Sequence, residues 1–367
     1  MKIISMVIIL LVIVSSVFPI TFKTDTDQEL KREFIDVVGF ARYDWQIENI
    51  MKRINKTQGK YLNDALKKDK ITEDTEWKVV ISPHDDHSYT GYLYPAILKN
   101  LKAKIIILFG VAHKAKKLNL ENKLIFDKYK SWHGPYGKVM VSPLRERLLK
   151  ALSPKIAEVN NEMHKIEHSL EALIPFIQYY HRNIKIVPIL VPYMSYEKIN
   201  QIGKQFATAL EKIVKEKKWE WGKDFAIAIS SDSIHYGDQN WGGRNFAKFG
   251  VDKEGYKRAV ELDMEIIKKS LIGSISRKKI ELFTRYTVKK DDYKEYKWAW
   301  CGRYSIPAGL MAAHYLAKFL SINLKGDLVG YRTSITLPPI KVSDLKMGVT
   351  APANIRHWVG YASIGYK

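Results

Sequence analysis

Four short apolar runs limit what this chain can fold into more than any other feature of its sequence. The runs occupy residues 78–82, 104–110, 184–191 and 225–230. Each is rich in isoleucine, valine or alanine, and each ends at a serine, at a glycine or just before a proline. Runs of this kind are typical of strands that are buried on both faces of a largely parallel sheet.

Amphipathic stretches with helical spacing lie among these runs. They occupy residues 167–180, 196–215, 254–270 and 306–320. Because strands that alternate with helices indicate the α/β class, we expect one domain over residues 33–367, with a largely parallel central sheet flanked by helices. Less regular stretches are expected to form surface excursions. These are residues 217–223, 237–250 and 276–300.

The N-terminus carries a separate signal. Lys2 precedes an apolar run over residues 3–20 that only three serines and one proline interrupt. A positive charge followed by such a run predicts that residues 1–22 are a signal peptide, so we expect export to the periplasm or the extracellular space. The run is also long enough for an uncleaved membrane anchor. A buried first helix of the domain is the remaining alternative.

Charge is the other unusual property of the chain. The sequence has 60 lysines and arginines against 39 acidic residues, a formal net charge of +21. Such an excess predicts attraction to anionic surfaces, although lysines scattered along the whole chain also fit a generally basic protein. No nucleic-acid-binding motif accompanies the charge, so we expect no specific nucleic-acid partner and membrane contact only through an uncleaved leader.

Polar residues directly follow three of the apolar runs. They are His84 and His87 after the first run, His113 after the second, and Asp232 and His235 after the fourth. In a parallel sheet these positions meet at one edge, where open α/β sheets bind ligands. Each histidine taken alone fits an ordinary loop residue. Together with Cys301, the set predicts a metal or catalytic site with donors for zinc, iron or copper rather than magnesium or calcium.

Three further residues have alternative interpretations. Glu167 and His168 begin the predicted helix over residues 167–180, where a carboxylate either stabilises the helix start or orients ligand histidines. Cys301, the one cysteine, precedes the predicted helix over residues 306–320. A position near a helix start lowers the pKa of a thiol and favours metal ligation, whereas the alternative is a small buried core residue. A single cysteine excludes a disulfide within the chain and a four-thiolate zinc site.

Several of these residues lie in blocks that resemble those of a known family. The blocks are Pro83-His84 with Tyr89-Thr-Gly91, Phe109-Gly-Val-Ala-His113, Glu167-His-Ser-Leu-Glu171, Ser230-Ser-Asp-Ser-Ile-His-Tyr236 and Cys301-Gly302. In this order they resemble the Memo family, whose bacterial and archaeal members are also called AmmeMemoRadiSam system protein B.

The resemblance implies a fold similar to the class III (LigB-type) extradiol dioxygenases. It implies metal binding by His84, His113 and Cys301, with iron or copper ahead of zinc. Asp232 and His235 would be the catalytic pair. Residues next to these would support them, namely Glu167, His168 and His87. A cysteine stands where the dioxygenases have a carboxylate, which counts against ring cleavage. The resemblance therefore implies redox chemistry instead.

The sequence departs from the family at two blocks. His84-Asp-Asp-His87 stands in place of His-Ala-Gly-Tyr, and His113-Lys114 in place of His-His. The added side chains would supply extra ligands or only a more polar rim. Three functions therefore stay open: an exported redox metalloprotein, a dioxygenase-like or hydrolytic enzyme acting on a small molecule, and a non-catalytic module that binds a peptide or an anionic ligand.

Overall fold

All four apolar runs form strands, and these strands lie side by side in one mixed sheet. The computed structural model describes residues 30–367, so the predicted leader over residues 1–22 lies outside the described residues. The strands in chain order are β1 (Lys31–Arg32), β2 (Val79–Ser82), β3 (Ile105–Val111), β4 (Leu124–Phe126), β5 (Ser131–Gly134), β6 (Gly137–Val141), β7 (Ala157–Val159), β8 (Lys185–Val191), β9 (Phe225–Ser230), β10 (His235–Gly237), β11 (Gly273–Ser274), β12 (Lys325–Thr333) and β13 (His357–Tyr366).

Helices connect and cover the strands. They are α1 (Asp44–Lys68), α2 (His87–Thr90), α3 (Leu93–Leu98), α4 (Leu144–Ala151), α5 (Asn161–Lys165), α6 (Ile174–Tyr180), α7 (Tyr196–Lys217), α8 (Lys253–Ile266), α9 (Arg277–Thr287) and α10 (Ser305–Phe319). Single 3-10 turns lie at Ala115–Leu118, Glu171–Leu173 and Ser343–Leu345, and a π-helical turn at Ile267–Leu271 extends α8. No helix between residues 30 and 367 combines the length and the apolar character needed to cross a bilayer.

The sheet is parallel at its centre and largely antiparallel at its flanks. The strand order is β1-β5-β6-β8-β3-β9-β2-β13-β12-β11. Every pair from β6 through β8, β3 and β9 to β2 is parallel, whereas β13, β12 and β11 continue the sheet in antiparallel pairing. The predicted α/β class with a largely parallel centre and flanking helices is therefore confirmed.

Each face of the central sheet has its own apolar core. Alternate residues of β3 point to opposite faces, so Ile107 belongs to one cluster and Ile106 to the other, and both are fully buried. On the first face α10 packs closely against α7. Gly203 of α7 permits this approach, since a Cβ atom there would lie 2.6 Å from Cγ of Met311.

Two local expectations from the sequence are wrong. Residues 276–300 are not only a surface excursion, because Ser276 caps the start of α9 and the segment ends in the buried Trp298 and Trp300. The helix expected from Glu167 onward begins only at Ile174, with Pro175 in its first turn. Residues 167–170 instead form a turn, which Arg32 of β1 holds by donating from Nη2 to the Glu167 carbonyl at 2.5 Å.

Candidate metal centre

Three neighbouring parallel strands bring the candidate ligands to one edge of the sheet. Strands β3, β9 and β2 are adjacent in that order and run in the same direction. His113 follows β3, Asp232 follows β9 and His84 follows β2. The backbone N–H of His84 donates to Oδ1 of Asp232 at 2.9 Å, which ties two of the strand ends together.

A relay of hydrogen bonds sets the tautomer of His84. Oγ of Ser230 donates to the carbonyl of Ser169 at 2.5 Å, so its own oxygen accepts from Nδ1 of His84 at 2.7 Å. The proton of the imidazole therefore lies on Nδ1, and Nε2 keeps its lone pair. Burial lowers the pKa of His84 to about 3, which keeps the ring neutral at physiological pH.

His113 is oriented by Glu167 in the same manner. Nδ1 of His113 lies 2.9 Å from Oε1 of Glu167, and its backbone N–H donates to Oε2 at 2.7 Å. The same carboxylate accepts the N–H groups of His168 and Ser169, each at 2.9 Å. Burial by itself raises the pKa of Glu167, but these partners outweigh it and hold the pKa well below its usual range. With Nδ1 held by a charged Glu167, Nε2 is the ring atom of His113 that could bind a metal.

Cys301 completes a group of three donors. Its Sγ lies 3.4 Å from Nε2 of His84, and one donor atom from each of His84, His113 and Cys301 lies within 4.8 Å of the others. A metal ion bound to sulfur at about 2.3 Å and to nitrogen at about 2.0 Å holds those two atoms about 3.5 Å apart at a tetrahedral angle. The observed sulfur–nitrogen separation fits a shared ion, so this His/His/Cys cluster could hold a metal.

The thiol does not have the lowered pKa that its place before a helix predicted. Cys301 lies four residues before the first residue of α10 and is only 3% exposed. Burial, together with the nearby carboxylate of Asp232, raises the pKa of this thiol well above its usual value. A metal would have to displace the proton of Cys301, as is general for thiolate ligands.

Asp232 and His235 lie against the cluster. Oδ2 of Asp232 is 3.4 Å from Nε2 of His84 and 3.8 Å from Nε2 of His235. Burial raises the pKa of Asp232, but its contacts with the two histidines bring it below the usual range. Nε2 of His235 is buried without a hydrogen-bond partner among the residues described. This arrangement places a carboxylate and an uncommitted imidazole nitrogen beside the three donors.

The two remaining predicted residues differ in their placement. The ring of His168 stacks on His113 with a centroid distance of 5.0 Å, so it borders the cluster. His87 does not reach the cluster. Its Nε2 lies 3.0 Å from the carbonyl of Ala172, and its Nδ1 accepts from the N–H of Ala41 at 3.2 Å. Both ring nitrogens are therefore hydrogen-bonded to backbone atoms, so neither is available to bind a metal.

Comparison with known proteins identifies the family of the chain. A sequence profile of Memo-like proteins matches residues 45–344, a range that contains every candidate ligand. The chain belongs to the Memo-like protein family. The family resemblance drawn from the sequence blocks is thereby confirmed, whereas the relation to extradiol dioxygenases stays a prediction.

Individual Memo-family relatives match over a shorter range. A MEMO1 family protein of Pyrococcus furiosus is 29% identical over 166 residues, 43% of this chain and 52% of that protein. One of Aquifex aeolicus is 32% identical over 162 residues, 43% of this chain and 54% of that protein. The chain thus spans about half the length of the curated relatives it matches. An uncharacterized Escherichia coli K12 protein of known crystal structure aligns with 78% of this chain and 99% of its own, with a TM-score of 0.42 and 12% identity.

The structure adds residues around this candidate site that the sequence did not indicate. Asp263 of α8 is fully buried, and its Oδ1 accepts from the indole N–H groups of Trp298 and Trp300 at 2.8 and 2.6 Å. Its Oδ2 accepts from the hydroxyl of Tyr331 and the N–H of Ile234 at 3.0 and 3.3 Å. One carboxylate thus connects the segment before His235 with the segment before Cys301, and only an alignment could have pointed to it.

The added acidic pair next to His84 lies beside the three donors and is not among them. Asp85 accepts from the hydroxyl of Tyr361 at 2.6 Å, and burial followed by the charge of Asp232 raises its pKa to about 6. Asp86 accepts from the N–H of Thr350 at 2.6 Å, and burial followed by Asp85 raises its pKa to about 8. These carboxyl groups secure the C-terminal segments around the edge of the sheet.

Replacing His87 by alanine is expected to leave metal binding unchanged. The substitution should lower the free energy of unfolding by about 2–3 kcal/mol, because it leaves a buried N–H and a buried carbonyl unpaired and opens a small cavity. Metal content by elemental analysis and unfolding in urea measure the two effects. A fall in metal stoichiometry of the folded variant would instead show that His87 supports the site.

Replacing Glu167 by glutamine is expected to weaken metal binding about 10- to 100-fold. The amide keeps the shape of the side chain but removes the charge that orients His113 and raises its basicity. Competitive titration with a chelator measures the affinity. Glu158→Gln is the matched control, since Glu158 pairs with Lys123 at 2.9 Å at the surface. Equal affinities of the two variants would contradict the role given to Glu167.

Proposed function

We propose that this Memo-family protein holds one iron or copper ion between His84, His113 and Cys301 and uses it for redox or oxygen chemistry on a small molecule. The observation that carries the proposal is the hydrogen-bond partner of the Nδ1 atom in each imidazole ring. In both histidines the Nδ1 atom is committed to an oxygen, of Ser230 in one ring and Glu167 in the other. Nε2 of His84 lies 3.4 Å from the thiol sulfur of Cys301, and one ring nitrogen of His113 lies within 4.8 Å of the donor atoms of both residues.

The donor set favours iron or copper over magnesium or calcium. Thiolate and imidazole are soft to intermediate ligands, whereas magnesium and calcium prefer oxygen. A bound iron or copper ion would supply one-electron redox chemistry at this edge of the sheet. Zinc accepts the same donors but has no redox chemistry, so finding zinc would favour the hydrolytic alternative.

The other residues of the site, His235 and Asp232, take part in proton transfer. Nε2 of His235 has no hydrogen-bond partner in the described structure and lies 3.8 Å from the carboxylate of Asp232. His235 is thus placed to exchange a proton with a substrate, and Asp232 to stabilise the ring when it is protonated. The buried carboxylate also carries the negative charge that a protonated His235 requires.

Export is part of the proposal for the whole chain. The charge of Lys2 followed by the apolar run over residues 3–20 supports a signal peptide or an N-terminal anchor. The net charge of +21 supports attraction to anionic surfaces outside the cytosol. Cell fractionation of the tagged full chain tests this part, and recovery from the cytosol with residues 1–22 intact would contradict it.

Elemental analysis of the untagged full chain tests the metal proposal. After anaerobic reconstitution the wild type is expected to hold about one iron or copper ion per chain. A variant with His84→Ala, His113→Ala and Cys301→Ser should lose that ion. His314→Ala is the matched control, because His314 lies outside the groups of metal-donor residues that the structure brings together. Equal metal content in the triple variant, or none in the wild type, would overturn the proposal.

A further inference from the structure

A cavity is lined in part by residues from the segments that follow two of the candidate ligands. Its volume is about 510 Å³, within the range of small-molecule sites. It is bounded by segments that follow two of the candidate ligands, since Lys116 comes three residues after His113 and Arg303 two residues after Cys301. The remaining lining includes aromatic rings. These rings are Tyr193, Phe246 and Tyr296.

Arg303 is the unusual residue of this lining. It is only 5% exposed, yet no carboxylate between residues 30 and 367 lies within ion-pair distance of its guanidinium. Nη2 donates to the carbonyl of Lys294 at 3.2 Å, and Nε has no hydrogen-bond partner in the described structure. Since a buried charge without a counter-charge is costly, an anion that binds to this arginine would offset that cost.

Aromatic faces hold the guanidinium in place. Its Cζ lies 3.5 Å from the ring centroid of Tyr296 and 4.6 Å from that of Tyr304. Such stacking stabilises the cation and restricts its orientation, but it leaves the in-plane N–H groups available to an acceptor. The planar fork of an arginine matches the two oxygens of a carboxylate.

The other charges of the lining are largely paired among themselves. Lys294 contacts Glu121 at 2.6 Å, and Arg244 lies 3.9 Å from Glu295. These pairs cancel, so the charges of Arg303 and the exposed Lys116 remain. The net charge of the lining is therefore positive, and aromatic rings form part of the lining.

We propose that this cavity binds a small organic acid, with its carboxylate on Arg303 and its apolar body against Tyr193, Phe246 and Tyr296. Binding itself needs only the cavity. The further identification of this acid as the substrate class of the metal centre rests on the proposed function. The position of the cavity, next to the segments that carry His113 and Cys301, would place the body of the acid beside the redox site.

Calorimetric titration of the full chain with benzoate tests the proposal. Benzamide is the matched neutral probe and should bind at least about tenfold more weakly, because it lacks the charge that Arg303 requires. Arg303→Gln should weaken benzoate binding by a similar factor, and Arg303→Lys should weaken it less. Arg258→Gln removes the same charge from an exposed position outside the cavity and should leave binding unchanged.

Several results would overturn the proposal. They are no saturable benzoate binding by the wild type, equal binding of benzamide, and undiminished binding by folded Arg303→Gln. If inorganic phosphate binds more tightly than benzoate, the group that the cavity recognises is a phosphate and not a carboxylate. Because the comparison of benzoate with benzamide uses the wild type, it remains decisive even if an Arg303 variant fails to fold.

Metal content of the same samples separates this inference from the proposed function. Arg303→Gln is expected to keep the metal content of the wild type. Loss of metal in that variant would show that Arg303 shapes the metal centre and would overturn its assignment to an acid. If the wild type holds no metal but binds benzoate through Arg303, the proposed function is refuted. The inference of an acid-binding cavity is then still supported.

Discussion

Replacing Cys301 by serine should weaken iron or copper binding about 100-fold or more, the largest functional effect expected of a single substitution in this chain. Loss of a residue that merely orients a ligand typically costs 10- to 100-fold, so loss of a ligand itself should cost at least as much. Serine preserves the size of the side chain but offers a hydroxyl that stays protonated and is a poor ligand for these metals.

The buried position of Cys301 makes this substitution a clean test. The side chain is 3% exposed and lies within 3.1 Å of the backbone N–H of Asp232, a contact that a serine oxygen can also accept. We therefore expect folding to be retained, as checked by near-ultraviolet circular dichroism. Chelator competition then measures affinity. Unchanged affinity would remove Cys301 from the ligand set and leave the two histidines with Asp232 or His235.

Replacing Asp263 by alanine should have the largest effect on stability, about 3–5 kcal/mol. The carboxylate is fully buried, and burial raises its pKa to about 6. It accepts hydrogen bonds from two indoles, one tyrosine and one backbone N–H, all of which the substitution leaves unpaired. Unsatisfied buried donors and lost packing account for a loss of this size.

The same substitution should also loosen the metal centre. Asp263 connects Ile234 with Trp300, the residues immediately before His235 and Cys301. Urea unfolding measures the stability, and chelator competition below the transition measures the metal affinity. The control Glu281→Ala removes a partly exposed carboxylate that pairs with Arg285 and should leave both unchanged. A loss of less than about 1 kcal/mol in Asp263→Ala would contradict the structural role assigned to this residue.

Local patterns predicted the central elements well, because residues close to each other in the sequence determine where these elements begin and end. The run over residues 104–110 became β3 (Ile105–Val111), and the stretch over residues 196–215 became α7 (Tyr196–Lys217). Ser195 caps the start of this helix by accepting from the N–H of Lys198 at 3.2 Å. Apolar periodicity and capping residues were sufficient for these elements.

The sheet edge was also predictable, whereas the place of the cysteine was not. His84 and His113 follow strands of the parallel centre, so the geometry of such sheets brings them together. Cys301 reaches them only through long-range contacts, including the bridge between Ile234 and Trp300 and the bonds of Asp263. The residues alone left its role open, and only the family resemblance placed it among the ligands.

Properties that depend on burial could not be predicted from the sequence. A position before a helix predicted a lowered pKa for Cys301, but the thiol is enclosed and faces Asp232, so its pKa is raised. Arg303 likewise looked like one basic residue among many in a chain with 60 lysines and arginines. Its missing counter-charge became visible only when the packing of Tyr296 and Tyr304 around it was known.

X-ray absorption at the metal edge of the anaerobically reconstituted full chain is the most direct test of the ligand set. We predict one sulfur scatterer at about 2.3 Å and imidazole nitrogens at about 2.0–2.1 Å, with the sulfur shell lost in Cys301→Ser. A wild-type spectrum with only nitrogen and oxygen scatterers would contradict a metal centre built from His84, His113 and Cys301.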